Sequence, residues 1–169
     1  MVYRGRVFDV VKDRIRDGEV TYDREVVVHN GSAVIVPLFE DGTLGLVRQY
    51  RHAAGDYLLE VPAGTLSPGE DPAKGAAREL EEEIGVTADS VEKLCEFYVS
   101  PGFLTEKMNL YLATGLTHVG QKLEDDEILT VERHGIEELQ KMFAAGEIRD
   151  AKTIIAIQLV SDRLHRDGD

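Results

Sequence analysis

Tryptophan is absent from the chain and cysteine occurs once, at Cys95. A solitary thiol cannot close an internal disulfide, which fits a reducing compartment and argues against a stapled secreted domain. Cys95 itself reads as a small core residue. No stretch approaches the roughly 20 consecutive apolar residues of a membrane helix, and the first residues carry no apolar signal segment. The expected location is therefore the cytoplasm, with no membrane contact. Basic residues are scarce as well: 19 Lys and Arg face 32 Asp and Glu, a formal charge of −13. That balance disfavours attraction to nucleic acid or an anionic membrane, so a polyphosphate ligand would need local basic residues or metal ions. The five histidines, His29, His52, His118, His134 and His165, lack the paired spacing of a zinc helix.

What remains is enough for one ordinary core, because 43% of the 169 residues are apolar. A single domain over 1–169 is the simplest expectation. Residues 3–11 and 20–29 read as two N-terminal strands divided by a mostly polar stretch, 12–19. The apolar runs 33–39 and 43–50, joined by Glu40, Asp41 and Gly42, read as two paired central strands. Residues 57–61, 91–99, 107–116 and 128–131 supply further strands, while 136–145 and 151–164 repeat apolar residues at helical spacing, with Gly146 between them. Strands interspersed with helices predict a layered α/β domain whose mixed sheet is covered on both faces.

The segment from Gly64 to Val86, GTLSPGEDPAKGAARELEEEIGV, carries the most chemistry. Ser67, Pro68 and Gly69 favour a turn; Asp71 before Pro72 reads as a helix N-cap with proline at the first helical position; Gly85 stops the helix. Ala73, Ala76, Ala77, Leu80 and Ile84 form its apolar stripe. At about 100° per residue, Glu79, Glu82 and Glu83 share one arc of the surface. Like charges at this spacing repel. A hard divalent cation, Mg²⁺ or Mn²⁺, would relieve them, since such ions take oxygen ligands and share substrate phosphates. A solvated acidic face is the plainer alternative. Arg78 lies four residues before Glu82 and can pair with it, and the loop can return Glu70 towards Arg78. Arg51, just after a central strand, has a guanidinium suited to paired phosphate oxygens, although a surface ion pair is the alternative there.

Gly64, Glu70, Arg78, Glu79, Leu80, Glu82, Glu83, Gly85 and Val86 match every position of the Nudix box, so the chain resembles a Nudix hydrolase. RQYRHAAGDYLLEVPAG (48–64), SPGFLTE (100–106) and GEIRDAKTIIAIQL (146–159) are similar to segments of the ADP-ribose pyrophosphatases in that family. The resemblance implies an α/β/α sandwich with a mixed central sheet and an N-terminal antiparallel strand pair that serves dimerisation. It implies Mg²⁺-dependent hydrolysis of ADP-ribose to AMP and ribose 5-phosphate. Another nucleoside diphosphate sugar such as GDP-mannose, or an ADP-ribose sensor that does not cleave, are the alternatives.

Residue by residue, the resemblance gives metal binding to Glu79, Glu82, Glu83 and the carbonyl of Ala63, with Arg78 holding those carboxylates. Glu82 and Arg78 are also placed among the catalytic groups. Arg51, oriented by Glu60, would bind the diphosphate, and Gly102 and Phe103 would meet substrate. Arg24 would contact the adenosine half across a homodimer. Tyr3, Phe8, Tyr22 or Phe103 would have to supply any ring stacked on the base. The general base would lie in the acidic stretch 124–127, with Glu127 favoured over Glu124 because it directly precedes a strand.

Overall fold

The computed structural model describes residues 1–123 and 127–167. Strands β1 (Tyr3–Arg4), β2 (Asp9–Asp17) and β3 (Val20–Val28) form an antiparallel sheet in that order. Next come β4 (Ser32–Pro37), β5 (Thr43–Arg51), β6 (Asp56–Glu60) and β7 (Ala63–Thr65). Helix α1 (Pro72–Glu79) continues into a π turn, Leu80–Ile84. Strands β8 (Val86–Tyr98), β9 (Lys107–His118) and β10 (Leu129–Gly135) precede helices α2 (Ile136–Ala144) and α3 (Ala151–Asp167).

The body holds two sheets, a mixed one in the order β7-β4-β9-β8 and an antiparallel one in the order β10-β5-β6. Strand β4 runs parallel to β9 and antiparallel to β7. Its near-continuous apolar run has the physical reason expected of a strand buried on both faces. Ala33 and Ile35 join a cluster with Ala76, Leu80 and Ile84 of the box helix, whereas Val34 and Val36 join one with Leu139, Ala156, Ile157 and Val160 of α2 and α3. Helices thus cover both sides, giving the α/β/α sandwich.

Two expectations change. The runs 33–39 and 43–50 do not pair as strands of one sheet: β4 is bonded on both edges by β7 and β9, and β5 by β10 and β6. Neither has an edge left for the other; they pack face to face in one core cluster and are bridged at Leu38–Leu44 beside a tight turn. The polar stretch 12–19 lies mostly inside β2, paired with β3 through Asp17–Val20. Its polarity follows from exposure, because this hairpin projects with solvent on both faces from Lys12 onward.

The box helix begins as its sequence predicts. Asp71 is extended at φ −67° and its carboxylate accepts the amide of Ala73 at 2.8 Å, with Pro72 at the first helical position. Ala77 departs from the apolar stripe and is exposed. Gly85 ends the π turn at φ +78°, and the loop after β9 covers the free carbonyls: Gln121 donates to Glu83 at 2.6 Å and the Lys122 amide to Glu82 at 3.0 Å. A Cβ at Gly85 would meet the Gln121 amide nitrogen at 2.7 Å. Gly85→Ala is therefore expected to lower unfolding free energy by roughly 1–3 kcal/mol in urea titration; a change under about 0.5 kcal/mol would contradict this account of the helix end.

Candidate active site

An open cleft of about 460 Å³ lies between the box helix and the end of β5, lined by Arg6, Val7, Gln49, Arg51, Ala63, Gly64, Thr65, Arg78, Glu79, Glu82, Glu83 and Glu127. A larger groove of about 550 Å³ runs between α2 and α3, but it lacks converging carboxylates and stands apart from this chemistry. The cleft gathers seven of the residues singled out above: Arg51, Ala63, Arg78, Glu79, Glu82, Glu83 and Glu127.

Glu79 ends α1, and Glu82 and Glu83 sit in the π turn, a wider helical turn common at functional sites. Glu79 and Glu83 are buried, and Glu82 is half-buried. Arg78 binds three carboxylates at once: its Nη1 lies 2.7 Å from Glu79 and 2.7 Å from Glu82, and its Nε donates to Glu70 at 3.3 Å. Glu70 in turn accepts the amide of Ser67 at 2.8 Å, which closes the box loop onto the helix. The amide of Ala63 on β7 donates to Glu83 at 3.2 Å. Gly64 is required by close approach, since a Cβ there would stand 1.8 Å from Oε1 of Glu79.

Burial raises the Glu79 carboxyl to about 7; Arg78 opposes this, while Glu82 and Glu127 add to it. Burial raises Glu83 further, to about 8, reinforced by Glu79 and Glu127, against the Ala63 amide and Arg51. Glu127 thus acts electrostatically on both buried glutamates. It lies two residues before β10, which starts at Leu129, whereas Glu124 falls outside the described residues.

On the opposite wall Arg51 grips Glu60 bidentately, Nε to Oε1 at 2.7 Å and Nη2 to Oε2 at 2.8 Å. Glu60 is buried behind Arg51 and does not line the cleft. Burial would raise its carboxyl, but Arg51 and Lys152 outweigh burial and hold it below the usual range.

Arg24, Gly102 and Phe103 are brought together elsewhere, in a hollow of about 250 Å³ between β3 and the 100–106 loop that shares no lining residue with the cleft. Arg24 stacks over the Tyr22 ring at 4.2 Å, and the loop is stitched to β3 through the Val27 amide and the Phe103 carbonyl at 2.7 Å. Tyr3 packs against Phe8 with centroids 6.2 Å apart. Sequence reasoning missed Arg6, Val7, Gln49 and Thr65 in the cleft, and Lys152 behind it. Position beside Arg51 could have marked Gln49; nothing local marks Arg6.

The raised carboxyls fix a sign for pH dependence. Between the ordinary value of 4.5 and about 7–8, native Glu79 and Glu83 keep protons that the unfolded chain has released, so stability falls as pH rises. Metal-free protein is expected to lose melting temperature from about pH 5 to pH 8, with a flatter profile in Glu83→Gln. A metal-free profile that rises across this window would contradict the burial of these carboxylates.

A family model described as NUDIX domain matches residues 29–156. The chain is 35% identical over 161 residues to the ADP-ribose pyrophosphatase of Bacillus subtilis (strain 168), covering 93% of this chain and 86% of that protein. It is also 35% identical over 169 residues to the GDP-mannose pyrophosphatase of Cronobacter sakazakii (strain ATCC BAA-894), covering 93% and 86% respectively. A crystal structure of an ADP compounds hydrolase superposes with a TM-score of 0.87 at 27% identity, covering 99% of this chain and 91% of that one. With a box whose arginine and glutamates converge on one cleft and a family match over most of its length, the chain belongs to the Nudix family of hydrolases.

Proposed function

We propose that the protein hydrolyses the diphosphate linkage of ADP-ribose, giving AMP and ribose 5-phosphate, with Mg²⁺ or Mn²⁺ as its metal. The observation that carries this reading is that Glu79, Glu82, Glu83 and Glu127 line one cleft together with Arg51. The donor set suits a hard cation, since carboxylate oxygens, two of them buried, face a cleft where Arg78 is the counter-charge bound to Glu79 and Glu82. Among the described residues, no three such side chains already converge on one point. Glu79 and Glu82 are turned onto Arg78, and Glu83 onto the Ala63 amide. In this reading Glu79, Glu82, Glu83 and the Ala63 carbonyl hold the metal. When bound, it would neutralise diphosphate charge and lower the pKa of a water.

The chain's own groups supply the rest. Arg51 donates its outer guanidinium hydrogens to the diphosphate, with Glu60 fixing the plane from behind. Glu127 accepts the proton as a water oxygen bonds to phosphorus; the bridging P–O bond breaks, and its electrons leave with the second phosphate. Arg78 keeps the box glutamates in register. Arg24, Gly102 and Phe103 meet the adenosine half from the second subunit of a homodimer. The N-terminal segment supports that arrangement, since Val2, Tyr3, Val7, Phe8 and Val20 are exposed. We assign the enzyme to the cytoplasm and to small-molecule substrates, without nucleic acid or membrane partners. The acidic balance supports this, and among the described residues no helix is long and apolar enough to cross a membrane.

The second reading keeps the chemistry and changes the nucleotide sugar, and the GDP-mannose pyrophosphatase relative favours it. Chromatography of products from a panel of nucleoside diphosphate sugars, with Mg²⁺ and with EDTA, decides between them. AMP and ribose 5-phosphate formed fastest from ADP-ribose, and only with metal, are expected; preference for GDP-mannose would replace the substrate assignment. Glu83→Gln and Glu127→Gln are each expected to lower kcat at least about a hundredfold with the fold intact. Near-native turnover in either would remove that residue from its role.

A further inference from the structure

Behind the cleft lies a row of alternating charges that the mechanism above does not use to its end. Glu60 is shared: Arg51 holds it from the cleft side, and Lys152 binds its Oε2 from the interior. Lys152 also lies 3.1 Å from Asp150, whose carboxylate accepts both the amide of Thr153 at 3.0 Å and its hydroxyl at 2.6 Å. The Thr153 hydroxyl accepts the Val61 amide at 2.8 Å, tying the row to the residue that follows Glu60 and β6. The side chains of Lys152 and Glu60 are 7% and 2% exposed, against 40% for Arg51. The arginine end is the more open one, with Asp150 at the far end 17% exposed.

Helix stability does not explain a lysine here. Lys152 is the second residue of α3, where the positive end of the helix dipole disfavours a cation. Burial adds a desolvation cost, and an apolar side chain of the same length could fill such a place without it. What the ammonium does is divide the field of Glu60. With Nε and Nη2 engaged on that carboxylate, the Nη1 hydrogens and the second Nη2 hydrogen of Arg51 point away from it. A carboxylate held by Arg51 alone could swing with it and would neutralise more of its charge.

We infer that Lys152 is a positioning residue for the diphosphate: by anchoring Glu60 from the interior, it fixes the Arg51 guanidinium at the cleft wall with its outer hydrogens free for phosphate oxygens. This rests on the reading that Arg51 meets the diphosphate.

The test compares Lys152→Met, Lys152→Arg, Arg51→Ala and the Arg51→Ala/Lys152→Met double variant. Steady-state kinetics are read beside calorimetric binding of a non-hydrolysable methylene diphosphate analogue of ADP-ribose. Lys152→Met is expected to raise KM and weaken analogue binding at least about tenfold with kcat within about threefold, Lys152→Arg to keep most of the affinity, and Lys152→Met to add nothing once Arg51 is gone. Native affinity in Lys152→Met, or an equal further loss on top of Arg51→Ala, overturns the inference. If Lys152→Met does not fold, Lys152→Ala, which likewise removes the donor to Glu60, takes its place under the same expectations. Native affinity in Arg51→Ala would remove the reading of Arg51 and this inference with it, whereas loss in Arg51→Ala with none in Lys152→Met removes the inference alone.

Discussion

Glu79 and Glu83 are carboxylates set into an apolar layer, beside Leu80 and Ile84, which pack against Ala33 and Ile35 of the central strand. The rest of the site depends on tolerating the cost of that burial. Arg78 offsets part of it by reaching Glu70, Glu79 and Glu82 together, yet both buried carboxyls remain well above their ordinary range. A structure selected for stability alone would not keep them. Their retention makes sense as a standing demand for a cation, which ties the strain to the chemistry.

The sandwich meets that demand by bringing three separate stretches of chain to one edge. The box helix contributes the anions, β5 with β6 contributes the Arg51–Glu60 pair, and the loop into β10 contributes Glu127. Glycine matters at two of these junctions for different reasons. Gly64 lets strand backbone lie against the Glu79 carboxylate, and Gly85 supplies the left-handed turn that ends the π segment. The opposing wall is held from beneath by Glu60, so a flexible arginine faces the cleft from a fixed base.

Local signals in the sequence were read well where local physics decides the outcome. Asp71 before Pro72, the stop at Gly85 and the pairing of Arg78 with Glu82 all follow from neighbours within a turn or two. Partner choice between strands was less legible. The apolar run of β4 says that both its faces are buried but not that its parallel neighbour is β9, some seventy residues later. The exposed hairpin misled for the opposite reason, since residues 12–19 are polar because nothing covers them. The site followed the same rule. Box residues and Arg51 were visible as motif and as chemistry, while Arg6 reaches the cleft through tertiary placement alone. Nothing local marks Lys152 either, since its burial against Glu60 and Asp150 comes from tertiary placement. Arg24, Gly102 and Phe103, expected to meet substrate, cluster as a group but apart from the cleft of their own chain.

A metal held by Glu79 and Glu83 would displace the protons that their burial retains. Calorimetric titration of Mg²⁺ at pH 7, in two buffers of different ionisation heat, measures this most directly. Binding accompanied by proton release, and lost in the Glu79→Gln/Glu83→Gln double variant, is the predicted result. Binding that releases no protons, or that survives the loss of both carboxylates, would contradict it.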